Sequence, residues 1–208
     1  MTSEVRVNTL KARSGLGTVS FNDSGVVVSG IVTANSFVGD GSNLTNIPKI
    51  VVETAQSVSG LGTAVPFTSI PSWVKRITVL LTGVSTSGTS DVIVQIGTSS
   101  GYVSSGYIGT AITLVGGASP GSSAYSSGFL IRLGGAATAT AVRHGRITLH
   151  TVGNNIWIGD VMIGLSDVIY AVVGAGSLTL AGALDRIRLT TVNGTDTFDA
   201  GLVNIMYE

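Results

Sequence analysis

The sequence predicts an all-β protein with two parts: a short N-terminal interwoven β region over residues 1–48, then a β-sandwich or jelly-roll-like domain over residues 50–208. Three observations carry this. β-Branched runs such as Gly25-Val-Val-Val-Ser-Gly-Ile-Val-Thr33 recur between Gly, Asn and Asp. No segment spaces its apolar residues at the three-to-four interval of a helix. Glycine, the residue that punctuates strands with turns, makes up 29 of the 208 positions.

Within residues 1–48, Asp40-Gly41 is the clearest hairpin signal, because a tight two-residue turn wants positive φ and glycine adopts it at no steric cost. Phe37 and Leu44 then face one interior. Ile47-Pro48-Lys49 marks a boundary, since the residue before proline is driven to extended geometry and proline donates nothing to a ladder. A segment of this size, with no cysteine in the chain and no metal-ligand cluster, buries too little apolar surface to offset its ordering entropy alone. It is expected to complete its core with neighbouring copies. Val26, Val28, Ile31, Phe37, Leu44 and Ile47 are the residues expected to do so.

After residue 50 eight strands are predicted, over 77–83, 92–97, 128–133, 146–152, 156–163, 176–180, 187–192 and 202–207. Alternation is cleanest where Arg146, Thr148 and His150 interleave with Ile147, Leu149 and Thr151, and where Arg186 and Arg188 interleave with Ile187 and Leu189. Those two strands should have one wet face and one dry face. The Gly/Ser-rich stretches 97–107, 116–128 and 134–140 read as loops.

Composition narrows the function. Charged residues are 11% of the chain, against the roughly 25% usual for a soluble domain, and mean hydropathy is +0.50. Burial between subunits is the simplest remedy for so little surface charge. With 11 basic and 11 acidic residues scattered singly, there is no basic stripe for nucleic acid and no polybasic patch for lipid. The N-terminus has no apolar leader core and no run reaches the roughly 18 apolar residues of a spanning helix, so synthesis in the cytoplasm without membrane insertion is expected. An outer-membrane barrel would need aromatic girdles, and aromatics are 6%.

Three stretches carry a resemblance. Val26-Val-Val-Ser-Gly-Ile-Val-Thr-Ala-Asn-Ser-Phe-Val-Gly-Asp-Gly-Ser-Asn-Leu-Thr-Asn-Ile-Pro48 resembles a segment common in tail fibres and other fibrous virion proteins of bacteriophages, cyanophages among them. Ile70-Pro-Ser-Trp-Val-Lys-Arg-Ile-Thr-Val-Leu-Leu-Thr-Gly-Val-Ser-Thr-Ser-Gly-Thr-Ser90 looks like the start of a β-sandwich found at the ends of such fibres, and Phe198-Asp-Ala-Gly-Leu-Val-Asn-Ile-Met-Tyr-Glu208 looks like its last strand. The resemblance implies a virion structural protein, a homotrimer with a fibre-like N-terminal region that also meets other virion proteins. The chain's 208 residues leave no long shaft, which favours a short fibre or tip for host-surface adsorption. The alternative is a capsid decoration protein, a head fibre, knob or cement.

No enzyme is expected. Gly97-Thr-Ser-Ser-Gly101 and Gly117-Ala-Ser-Pro-Gly121 match the string of a hydrolase elbow, but neither precedes a helical pattern. A glycan depolymerase would need two carboxylates in one cleft. Asp185, Asp196 and Asp199 sit among turn residues, and Asn193-Gly-Thr195 reads as Asx-turn chemistry. His144 and His150 share a strand face roughly 20 Å apart, too far for one metal ion, so no metal or cofactor is expected. Tyr102, Tyr107 and Tyr125 lie in Gly/Ser stretches of the kind binding loops use. With Arg143 and His144 placed at the same end, they are the expected contacts to a host glycan or protein. Trp73 and Trp157 are expected to anchor structure.

Overall fold

The computed structural model describes residues 9–11, 18–22, 25–29, 31–32, 50–132, 134 and 138–208, and no α-helix occurs among them. The chain divides into two compact units, Met1–Ile47 and Pro48–Glu208.

The first unit contains an antiparallel meander of β1 (Thr9–Lys11), β2 (Thr18–Asn22) and β3 (Gly25–Ser29), in that order. The hairpin joining β2 to β3 closes at Asn22 opposite Gly25, with Val19 opposite Val28. Successive residues of a strand face opposite sides of the sheet. Even so, Val26, Val27 and Val28 are 58%, 55% and 37% exposed, and Ile31 beyond them is also open. The strand is therefore apolar and uncovered on both faces. Phe37, Leu44, Ile47, the Asp40-Gly41 turn and the Ile47-Pro48-Lys49 boundary lie outside the described residues.

The second unit is a sandwich of two antiparallel sheets. Its strands are β4 (Val51–Val52), β5 (Gln56–Ser57), β6 (Ala64–Phe67), β7 (Arg76–Thr86), β8 (Val92–Thr98), β9 (Gly101–Tyr102), β10 (Ile108–Val115), β11 (Gly121–Tyr125), β12 (Phe129–Ile131), β13 (Arg143–Gly153), β14 (Ile156–Leu165), β15 (Tyr170–Thr179), β16 (Arg186–Thr191) and β17 (Phe198–Tyr207). The large sheet runs β11-β10-β15-β14-β13-β7-β17-β4, with β5 also on β17, and the small sheet runs β12-β8-β16-β6, with β9 on β8. All eight predicted strands are present.

The expected alternations hold. Ile147 and Leu149 are wholly buried while Arg146 faces out, and Ile187 and Leu189 are buried between the partly exposed Arg186 and Arg188. β14 repeats the pattern over its whole length, burying Trp157, Val161, Ile163 and Leu165. Each such side chain contributes about 1.5–3 kcal/mol on leaving water, so these inward rows hold the two sheets together. Pro66, which cannot donate to a ladder, sits in β6 at the edge of the small sheet.

A lane of glycines crosses the inner face of the large sheet. Gly109 of β10 pairs with Gly176 of β15, which pairs with Gly159 of β14. Aromatic rings fill the space that side chains would have taken. A Cβ on Gly159 would fall 2.6 Å from the Phe129 ring, and one on Gly109 would fall 2.3 Å from the Tyr125 ring. Tyr107 closes the cluster edge-on to Phe129, with centroids 5.2 Å apart and planes at 88°.

Candidate functional site

β13 starts with Arg143 opposite Val84 of β7 and reaches His150 opposite Arg76. One pole of the sandwich therefore gathers the connections 68–75, 99–100, 154–155 and 180–185, while the other gathers 87–91, 116–120, 166–169 and 192–197. Chain entry lies at the first pole, where Val51 and Val52 pair with Tyr207 and Met206.

The five residues expected to meet a host surface are not brought together. Tyr107 and Tyr125 are core residues, 2% and 8% exposed, which corrects their placement in surface loops. Their small neighbours make room for the rings rather than for motion. The Tyr107 hydroxyl accepts the Ile96 N–H at 2.8 Å and donates to the Val103 carbonyl at 3.2 Å. Burial pushes its pKa up, and that of Tyr125 to about 12. The Tyr125 hydroxyl is buried without a partner. Tyr102 is half-buried in β9, its ring 4.4 Å from the Arg188 guanidinium.

Arg143 is corrected too. It points inward at the second pole and is wholly buried, donating to the Ala141 carbonyl at 3.1 Å and the Val84 carbonyl at 3.4 Å. Desolvation lowers its pKa to about 10, opposed by Asp91, Asp167 and Asp199. His144 is exposed at the same pole. Its Nδ1 accepts the Gly83 N–H at 3.2 Å and its Nε2 lies 3.2 Å from the Ser166 hydroxyl, an arrangement satisfied by the neutral imidazole with its proton on Nε2.

The two tyrosine hydroxyls give substitutions of opposite sign. Tyr107→Phe should cost about 1–2 kcal/mol, because it strips the partner from a buried backbone N–H, whereas Tyr125→Phe should be neutral or stabilise by up to about 1 kcal/mol. Urea midpoints of the two variants measure this. Shifts of equal size and sign would contradict the hydrogen-bond assignment.

Neither Gly-x-Ser-x-Gly string forms an elbow. Ser99 and Ser100 are the turn of the β8–β9 hairpin, in which Thr98 pairs with Gly101, and residues 117–120 lie in the connection from β10 to β11, which Gly121 begins. Both strings lead into strands. Asn193 makes the expected Asx turn, its Oδ1 accepting the N–H groups of Thr195 and Asp196 at 3.0 and 3.2 Å. Asp196 then fastens the 87–91 connection by accepting the Ser90 N–H at 2.9 Å. No group of three metal-ligating side chains occurs among the described residues.

A polar recess lies at the first pole. A hollow of about 300 Å³ lies between the 71–75 segment, the β13–β14 turn and Ala183-Leu184, over a floor that includes the buried Trp157. It adjoins a second hollow of about 470 Å³ that shares Ser72, Ala183 and Leu184 and reaches Ser99, Ser100 and Asp185. Asn154 and Asn155 make the turn at φ 51° and 59°, the left-handed conformation that a two-residue type I′ hairpin requires and asparagine tolerates. Among the described residues, no side-chain hydrogen bond occupies Ser72, Lys75, Asn154 or Asn155. Asp185, the carboxylate of this pair of hollows, is bound to Arg186 at 2.7 Å. Amides, hydroxyls and one ammonium over an apolar floor suit hydrogen bonding to a polyhydroxylated ligand. Trp73, half-exposed beside Ser72, packs its ring 5.8 Å from that of Tyr207.

Sequence reasoning missed this recess because its members are scattered over four connections. The one local signal was Asn154-Asn155 between two apolar runs, a turn mark. Compared with family models, with curated proteins and with solved structures, the chain matches none of them.

Proposed function

We propose that this chain is a non-enzymatic virion structural protein, a homotrimeric short fibre or fibre tip. Its N-terminal unit joins copies to one another and to other virion proteins, and its sandwich adsorbs to a host-surface glycan or protein. The observation that carries the proposal is β3. It ends the order of its sheet and leaves three consecutive valines open on both faces, and an apolar edge strand of this kind is a template for pairing with another chain. The fibre-like sequence of residues 26–48 points the same way. The polar recess at the first pole supplies a surface for a sugar.

Light scattering on the full chain at micromolar concentration should report three copies. Chains starting at Ile50, or carrying Val27→Lys, should assemble less. A well-folded monomer would defeat the proposal.

The capsid-decoration reading draws support from one observation. Two of the three tyrosines expected to grip a receptor, Tyr107 and Tyr125, are in the core, which leaves the Gly/Ser connections with small side chains suited to covering a surface. Antibody labelling of intact particles separates the two: signal on the tail supports adsorption, and signal over the head supports decoration.

A further inference from the structure

An antiparallel sheet that faces water on one side turns polar residues outward, and the outer face of the large sheet departs from this. Ile112 of β10, Val173 of β15 and Met162 of β14 stand side by side in register, 39%, 44% and 56% exposed. Leu114, Ile108, Ile158 and Leu80 are also open to solvent on this face, Leu80 beyond Arg146 and the two isoleucines beyond the row of Thr110, Ala175 and Asp160. So many exposed apolar side chains on one sheet face mark an interaction surface. It is also concave, with a trough of about 480 Å³ between β10 and β13.

The charges in the trough identify the occupant. The row of Ile112, Val173 and Met162 continues into Arg146 of β13. Asp160 stands one pleat away on β14, between Ala175 and Thr148. Among the described residues, the side chains of Arg146 and Asp160 make no hydrogen bond or ion pair. A lipid surface would reject a carboxylate inside the apolar patch, and a nucleic acid would need a basic face. A chain of net charge zero, showing one unpaired charge of each sign beside an apolar row, complements itself.

We propose that this face docks on a second copy of the same chain, with Arg146 of one copy meeting Asp160 of the next. The inference rests on the oligomeric reading above and places a contact in the sandwich, not only in the N-terminal unit.

The chain has no cysteine, so Met162→Cys, or Val173→Cys should the first variant fold poorly, introduces a single thiol on the face. Ser104→Cys, in an exposed connection, serves as the reference. At a free-chain concentration about ten times the dissociation constant, the face thiol should react with a maleimide about tenfold more slowly than the reference. Adding Asp160→Arg should abolish the protection, and adding Arg146→Asp to that variant should restore it. A face thiol that reacts at the reference rate in a protein shown by light scattering to be oligomeric overturns this interface and leaves the oligomer standing. Fast reaction in a monomer defeats both. Protection in a monomer would place another part of the same chain on the face, and a charge swap that restores nothing would remove the Arg146–Asp160 contact; either result overturns the proposal.

Discussion

Gly176→Val is expected to destabilise the sandwich by at least about 3 kcal/mol, because overpacking here meets atoms that cannot move aside. A Cβ at residue 176 would fall 2.3 Å from the Tyr125 hydroxyl, 2.5 Å from the Ile108 carbonyl oxygen and 2.9 Å from the Gly109 Cα. The tyrosine could swing away, but the backbone of β10 is held by its pairing on both sides, to β15 and to β11. Gly164, at the outward end of β14, is the control, since nothing lies within 4 Å of a Cβ built there. Gly164→Ala should be neutral or stabilise by up to about 1 kcal/mol through the unfolded chain. With a urea slope of about 2 kcal/mol/M, the valine variant should unfold about 1.5 M earlier than the parent. Equal midpoints for the two variants would show that residue 176 does not face the aromatic cluster.

Phe129→Ala is the second large effect, a loss of about 3–5 kcal/mol from the transfer term and the cavity left behind. Phe129 is wholly buried, lies against Gly159 and meets the Tyr107 ring edge-on. Its partnership with Gly159 makes the prediction sharper. Gly159→Ala alone should cost about 1–3 kcal/mol, since the added methyl strikes the ring. In the Phe129→Ala background that cost should shrink by at least about 1 kcal/mol, the non-additivity of residues in direct contact. Costs that add to within about 0.5 kcal/mol would mean the two positions do not touch.

The strands legible in the sequence were those whose polar and apolar residues alternate in the ordinary sense. β13 and β16 are of that kind, with Ile147, Leu149, Ile187 and Leu189 in the dry positions. β10 escaped because its pattern is inverted. It turns Ile108, Ile112 and Leu114 outward and small Gly109 and Ala111 inward, which hides the dry face. β11 escaped because Gly121-Ser-Ser-Ala-Tyr125 has the composition of a loop, yet it pairs with β10 over Gly109–Thr113.

The two buried tyrosines share one cause. In the sequence, small residues beside an aromatic read as freedom, whereas Gly109, Gly159 and Gly176 leave space that the Tyr125 and Phe129 rings fill. No local pattern reveals that exchange, because the ring and the glycine lie far apart in sequence. The recess at the first pole was hidden for a related reason, its members coming from the 71–75, 99–100, 153–157 and 183–185 segments.

The pairing of β4 with the end of β17 has a practical outcome for anyone tethering this protein. The sandwich begins and finishes at a single pole, the one with the recess, so an affinity tag or fluorescent fusion added after Glu208 would crowd the very opening whose binding it was meant to report. A peptide spliced into the 117–120 or 193–195 connection would instead be displayed at the opposite pole, away from either terminus of the sandwich, and would leave that opening clear.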